Sequence, residues 1–127
     1  MSLDVYLRIA VPIDPDAHNC NCEHCEIRPT GFETVFDRNT THNHNRIADA
    51  VGIYRHCWRP DEIGVTTASQ LIEPLRAGLA QLRATPEAFK HLEPGNGWGS
   101  VAHFTDFVAA YLEACEAHPT ATVSVSR

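Results

Sequence analysis

The sequence predicts an α+β fold for this 127-residue chain: a single domain, 1–127, with a small antiparallel sheet packed in two layers against three to four helices. Both ends of the chain alternate apolar and polar residues, which is typical of half-buried strands. The middle repeats apolar residues every three or four positions, which is typical of amphipathic helices. Hydrophobic residues make up 43% of the chain, enough for one core.

Three strands are predicted from period-two patterns. The first runs from the N-terminus to Pro12, which cannot donate to a strand ladder; its buried face carries Leu3, Val5, Leu7, Ile9 and Val11. A second short strand is expected at Phe32–Asp37. The last is expected at the C-terminus, with Ala121, Val123 and Val125 on one face. We expect the two terminal strands to pair as neighbours.

The helices are predicted from apolar stripes and their capping residues. A first helix is expected after Thr41, its N-cap, and should end before Pro60, with Gly52 weakening its middle. The apolar stripe of this helix consists of Ile47, Val51, Tyr54 and Trp58. A second helix should begin near Thr66 or Thr67, with Pro74 kinking it or ending its first turn. A short helix should start at Thr85, and the last should run from its cap Ser100 to His118.

Charge and hydropathy narrow the possible environments and partners. The formal net charge is −6, with 16 acidic and 10 basic residues, so nucleic acid is not the expected partner. No apolar run approaches the roughly 20 residues that a membrane span needs. The N-terminal run contains Asp4 and Arg8 and lacks a basic region before it, unlike a signal peptide. We therefore expect a cytoplasmic protein.

Several motifs occur together in an order that resembles a known family. They are SLDVYL, THNHN, GIYRHCWRPDEIGV, LIEPLRAGLAQL, NGWGS and VSVSR, and they span most of the chain. In these motifs the chain resembles a family of small, uncharacterised bacterial and phage-borne proteins with no established activity. The resemblance implies a single domain, a mobile-element context and a variable segment at 14–31. It implies no mechanism.

The segment 14–31 contains a cluster of soft metal ligands. Cys20, Cys22 and Cys25 offer three thiolates within six residues, and Cys22 and Cys25 have the spacing of a zinc knuckle. A fourth zinc ligand could come from His18 or His24 within the loop, or from His56 or Cys57 of the first helix. The alternatives are a disulfide, free thiols, or another metal or cluster. A closed zinc site would order a loop that has few apolar residues to order itself.

A second candidate site surrounds the THNHN motif. His42, Asn43, His44 and Arg46 lie at a predicted helix start, where free N–H groups could hold an anion. Arg55 and Arg59 flank Trp58, which suits a planar or anionic group. Alternatively, the polar residues of the motif only cap the helix. Trp58 could likewise belong to the core, with Arg59 forming a surface ion pair with Asp61 or Glu62.

These patterns predict a small, non-enzymatic binding or interaction protein with a structural zinc loop. We do not expect an enzyme, because no G-x-S-x-G or H-E-x-x-H motif and no pair of catalytic carboxylates is visible. The expected partner is a host protein or a small anionic ligand. The alternative is a small hydrolase or nucleotide-processing enzyme whose site includes His42, Asn43, His44 and Arg46. The enzyme would require these side chains to converge in one pocket.

Overall fold

The terminal strands and one longer internal strand form a single antiparallel sheet. The computed structural model describes residues 2–12, 30–94 and 99–127. The strands are β1 (Ser2–Pro12), β2 (Thr30–Thr41) and β3 (Thr122–Ser126), in the order β2-β1-β3. β1 and β3 are neighbours, with Val5 opposite Val125, so the predicted pairing of the two ends of the chain is confirmed.

β2 is longer than the predicted strand Phe32–Asp37. It continues to Thr41, which lies opposite Ser2 at one end of the sheet. The extension on this edge strand is made of polar residues, of which Arg38 and Asn39 are exposed while Thr40 is buried. It therefore lacks the apolar alternation from which strands are recognised. A bulge interrupts the ladder, because Leu7 pairs with Phe36 while Arg8 pairs with Thr34, leaving Val35 as the extra residue.

The described residues form four α-helices, which share one hydrophobic core with the sheet: α1 (Asn45–Ala50), α2 (Tyr54–Trp58), α3 (Ser69–Ala84) and α4 (Val101–Ala117). The stripe predicted as one helix from Ile47 to Trp58 is two short helices, because the chain turns at Gly52 with a φ of +80°. Turns of 3-10 helix occupy His42–His44, Pro60–Ile63 and Pro86–Leu92. The last of these turns occupies the position of the short helix that was expected to start at Thr85.

Capping side chains define where the long helices begin. The Gln70 carboxamide oxygen accepts from the backbone N–H of Thr66 and Thr67, at 2.8 and 3.0 Å, which is half of the predicted capping box. The predicted cap of α4 is confirmed, because the Ser100 hydroxyl accepts from the His103 N–H at 3.1 Å. α3 continues through Pro74 and does not end there.

The core lies between the sheet and the helices. Leu3, Val5 and Leu7 of β1 are fully buried in one core with a row of aromatic rings whose neighbouring centroids are 5.7–6.2 Å apart. These rings are Phe36, Tyr111, Phe107, Phe104 and Trp58. In the described parts of the chain, no helix is both long enough and apolar enough to cross a bilayer. The two-layer α+β architecture predicted from the sequence is thus confirmed.

Candidate functional site

A polar cleft of about 950 Å³ opens at the end of the sheet where β1 begins and β2 ends. We call it the His42 cleft. Strand ends, the 3-10 turn His42–His44, α2 and the chain after β3 all contribute to its wall. The described residues that line it are Ser2, Asn39, Thr41, His42, Asn43, Asn45, Tyr54, Trp58, Arg59 and Arg127.

The cap at Thr41 separates the two histidines of the THNHN motif. The Thr41 hydroxyl accepts from the backbone N–H of Asn43 at 3.3 Å, which turns the chain from β2 into a helix, as predicted. His42 then lines the cleft, whereas His44 is buried with only 3% of its surface exposed. The two side chains do not share one pocket.

His42 is held by the buried indole of Trp58. The Trp58 Nε1–H donates to His42 Nδ1 at 2.9 Å, across a tilted contact between the two rings. An indole N–H can only donate, so Nδ1 is unprotonated and the proton of the neutral imidazole is on Nε2. His42 therefore offers a ligand an N–H donor.

His44 uses both of its ring nitrogens inside the protein. The backbone N–H of Ser100 donates to Nε2 at 3.1 Å, so the proton is on Nδ1, which lies 2.7 Å from the Thr40 hydroxyl oxygen. Burial, and to a smaller extent the neighbouring His103, lower the pKa of His44 from 6.5 to about 4, although Glu93 acts in the opposite direction. His44 is therefore a neutral structural group at pH 7.

Gly99 allows the chain to approach His44 closely. Its φ is +134°, and a Cβ at this position would lie 3.1 Å from His44 Cδ2 and 3.2 Å from Nε2. The following residue, Ser100, both donates to His44 and caps α4. The conformation of Gly99 thus ties the start of α4 to the THNHN motif.

Two arginines line the cleft, and each contacts one neutral hydrogen-bond acceptor and one carboxylate. Arg59 donates through Nε to the Tyr54 hydroxyl at 3.4 Å and through Nη1 to Glu62 at 2.8 Å. The Tyr54 contact and then Glu62 raise the pKa of Arg59 above its usual value, so it is always charged. Arg127 donates through Nη1 to the Trp58 carbonyl at 3.0 Å, and Asp61 lies 3.8 Å away.

The charged side chains that line the cleft are opposite in sign to the net charge of the protein. The chain carries a net charge of −6, but the described lining of the cleft includes two arginines and no Asp or Glu side chain. Four other cavities, of about 200 to 450 Å³, each have at least one carboxylate in their lining. The His42 cleft is therefore suited to an anion.

The residues proposed from sequence for ligand binding have different places in the structure. His42, Asn43 and Trp58 line the cleft. Arg46 is exposed and is not among its described lining residues, and Arg55 is exposed and lines a separate cavity of about 200 Å³.

The proposed zinc loop lies outside the described residues, together with its ligand candidates His18, Cys20, Cys22, His24 and Cys25. Within 2–12, 30–94 and 99–127, no three His, Cys, Asp or Glu side chains are grouped so as to hold a metal. Cys57, suggested as a distant fourth ligand, is fully buried. Burial raises the pKa of its thiol and disfavours the thiolate that zinc requires.

Five described residues of the cleft were not proposed as ligand contacts from the sequence: Ser2, Asn39, Thr41, Tyr54 and Arg127. Arg59 was proposed because it flanks Trp58, and Asn45 belongs to the THNHN motif. Arg59 was predicted to pair with Asp61 or Glu62, and its pairing with Glu62 is confirmed. Arg127 could have been found by combining the predicted β1–β3 pairing with its place after the last strand. Nothing in the local pattern marks Ser2, Asn39 or Tyr54 as a ligand contact, and Thr41 was predicted only as a helix cap.

Comparison with known proteins assigns no function to this chain. No protein-family model, no curated protein and no solved structure matches it. The geometry of the His42 cleft is therefore the basis for a functional proposal.

Proposed function

We propose that the protein is a small binding protein whose His42 cleft takes a small anionic ligand. One observation carries the proposal: an acidic protein presents an open cleft whose described lining contains two arginines and no Asp or Glu side chain. Guanidinium groups form directed, charge-assisted hydrogen bonds with carboxylate and phosphate oxygens. The chemical class of the ligand is thus a compound with an oxyanion group.

The remaining cleft residues support a ligand with a polar body. Besides the arginine N–H groups, the wall offers the Nε2–H of His42 and the amide and hydroxyl groups of Asn45 and Thr41. An apolar ligand would leave these groups without partners and would lose affinity. A hydroxylated oxyanion, such as a sugar phosphate or sugar acid, satisfies both the charge and the hydrogen bonds.

Binding is favoured over the alternative of a hydrolase. A general base at His42 Nε2 would need the ring proton on Nδ1, and the Trp58 N–H opposes that tautomer by donating to Nδ1. His44 does not supply a second imidazole, because Ser100 and Thr40 occupy both of its nitrogens. These contacts suit a cleft that holds a ligand without transferring protons.

The proposal is tested by calorimetric titration with ribose 5-phosphate, using neutral ribose as the comparison ligand. We expect the phosphate ester to bind and ribose to bind at least tenfold more weakly. Arg59→Gln should weaken binding about tenfold or more, since charge-assisted hydrogen bonds contribute roughly 1.5–3 kcal/mol. The matched control is Arg76→Gln, because Arg76 forms an exposed ion pair with Glu73 at the same three-residue spacing, away from the cleft.

Two results would contradict the proposal. One is the absence of any heat of binding for ribose 5-phosphate, inorganic phosphate and ribonate at millimolar concentrations. The other is an equal loss of affinity in Arg59→Gln and Arg76→Gln, which would mean that the anion responds only to the overall charge of the protein.

The zinc loop remains a separate proposal. Three thiolates in six residues, Cys20, Cys22 and Cys25, support one zinc ion per chain that orders the segment 14–31. Elemental analysis of protein purified without a histidine tag should find close to one zinc per chain. Absence of zinc together with three freely alkylated thiols would exclude it.

The family resemblance supports one further part of the proposal. The resemblance implies a bacterial or phage-borne context, and on that basis we propose that this binding activity belongs to the cytoplasm of a bacterial host. Fractionation of host cells with an antibody against the chain should find it in the soluble cytoplasmic fraction, and recovery from the membrane or medium would refute this.

A further inference from the structure

Each cleft arginine is paired with a carboxylate from one short turn. Pro60–Ile63, which we call the 60–63 turn, follows Arg59 directly and ends at Gly64 with a φ of +74°. Its Glu62 accepts from Arg59 at 2.8 Å, and its Asp61 lies 3.8 Å from Arg127. Neither carboxylate is among the described residues that line the cleft, yet both contact the groups that would hold an anion.

We propose that Glu62 and Asp61 are internal competitors that the ligand's anionic group displaces from Arg59 and Arg127, so that the 60–63 turn sets the affinity of the cleft. This inference rests on the proposed function. It adds two affinity-determining residues that need not touch the ligand. The shared chemistry of the displacing group is an oxyanion, either phosphate or carboxylate.

The neutral contacts of the arginines make such an exchange possible. Arg59 is also held by the Tyr54 hydroxyl, and Arg127 by the Trp58 carbonyl. These two acceptors belong to α2, and Tyr54 stacks on Trp58 with ring centroids 5.6 Å apart. The guanidinium groups therefore stay in position when the carboxylates leave.

The carboxylate contacts are weak enough to be replaced. The side chains of Arg59 and Glu62 are 43% and 45% exposed, and those of Arg127 and Asp61 are 37% and 68% exposed. Ion pairs this exposed are screened by water and salt, and they contribute little to stability. A ligand that brings several oxygens to both guanidiniums at once can therefore outcompete them.

The expected effect can be ranked from the two distances. Removal of one exposed ion pair corresponds to an affinity gain between about 1.4-fold and fivefold. Glu62→Gln should lie at the upper end, because its hydrogen bond to Arg59 is short. Asp61→Asn should lie at the lower end, because 3.8 Å is too long for a hydrogen bond.

The experiment measures the dissociation constant of ribose 5-phosphate, and of ribonate as the carboxylate analogue, by calorimetry on the full chain. The variants are Glu62→Gln, Asp61→Asn and the matched control Glu73→Gln, which removes the partner of Arg76 outside the cleft. A fourth variant, Glu62→Asp, keeps the charge and withdraws the carboxylate by one methylene. If the Glu62 carboxylate competes with the ligand for direct contact with Arg59, Glu62→Gln and Glu62→Asp should bind the probes more tightly than wild type. Glu73→Gln should bind them with unchanged affinity.

The outcomes separate this inference from the proposed function. If wild type binds the probes but Glu62→Gln binds them equally or more weakly, the inference is overturned and the proposed function stands. If Glu62→Asp equals wild type while both neutral variants at 62 and 73 bind more tightly, net charge alone acts and competition is excluded. If neither wild type nor any variant binds, the proposed function fails and the inference fails with it.

Discussion

Acidification should destabilise this protein in part through its buried His44. His44 is neutral in the folded chain because burial lowers its pKa from 6.5 to about 4, with a smaller contribution from His103. In the unfolded chain the imidazole takes up a proton near its usual pKa. Below pH 6.5 unfolding is therefore accompanied by proton uptake, so stability that is present above pH 6.5 is lost as the pH falls toward 4.

The magnitude follows from the linkage between proton binding and folding. For one group whose pKa falls from 6.5 to about 4, the loss of stability between pH 7 and pH 5 is about 2 kcal/mol. His44 also lines a cavity of about 260 Å³ beside Arg38 and His103, through which water can reach the ring. We therefore expect a loss of about 1–2 kcal/mol in this range.

The assay is urea denaturation at pH 7, 6 and 5 of wild type and of His44→Gln, which has no imidazole at this position. The variant should be less stable at pH 7, because it loses the hydrogen bond with Thr40. The difference between the two proteins should shrink by about 1–2 kcal/mol at pH 5. His91→Gln, at an exposed position on the Pro86–Leu92 turn, is the control and should leave the pH dependence unchanged.

A difference between wild type and His44→Gln that stays constant from pH 7 to pH 5 would refute this reasoning. So would a difference that grows on acidification. Either result would mean that His44 is protonated at least as readily in the folded chain as in the unfolded one.

Three further predictions concern the core and its attachment to the THNHN motif. Tyr111→Phe should leave stability in urea denaturation unchanged or raise it by about 1 kcal/mol, because the buried hydroxyl has no hydrogen-bond partner among the described residues. A loss of stability above about 1 kcal/mol would reveal such a partner. Gly99→Ala should lower the melting temperature, with a cost of about 1–3 kcal/mol, since its φ is positive and a Cβ would crowd His44; an unchanged melting temperature would contradict this. Cys57 and Cys115 should resist iodoacetamide in the folded protein, because burial raises the pKa of both thiols, that of Cys115 to about 12. If mass spectrometry showed both thiols labelled as fast as in unfolded protein, their burial would be contradicted.

The parts of the fold that alternate or carry a cap could be predicted from the sequence. β1 buries Leu3, Val5 and Leu7 as its period of two requires, and Ser100 caps α4 through a local hydrogen bond. Such signals lie within a few neighbouring residues. The polar end of β2 gave no such signal, because an edge strand can expose side chains on both faces.

The candidate site could be predicted only where local chemistry marks it. The THNHN motif led to His42, and the flanking charges of Trp58 led to the Arg59–Glu62 pair. Arg127 reaches the same cleft only because β3 pairs with β1, a contact between opposite ends of the chain. The different roles of His42 and His44 depend on Trp58 and Ser100, which are distant in sequence, so no motif could separate them.

The most direct test of the proposed anion site in the His42 cleft is to locate a bound oxyanion by nuclear magnetic resonance. Titration of ¹⁵N-labelled protein with ribose 5-phosphate should shift the Nε–H signal of Arg59 and the indole N–H signal of Trp58, which donates to His42 in the cleft wall. The Nε–H signal of Arg76, outside the cleft, should stay in place, and neutral ribose should shift none of the three. Shifts confined to Arg76 or other surface arginines, with those of Arg59 and Trp58 unmoved, would contradict an anion site at the His42 cleft.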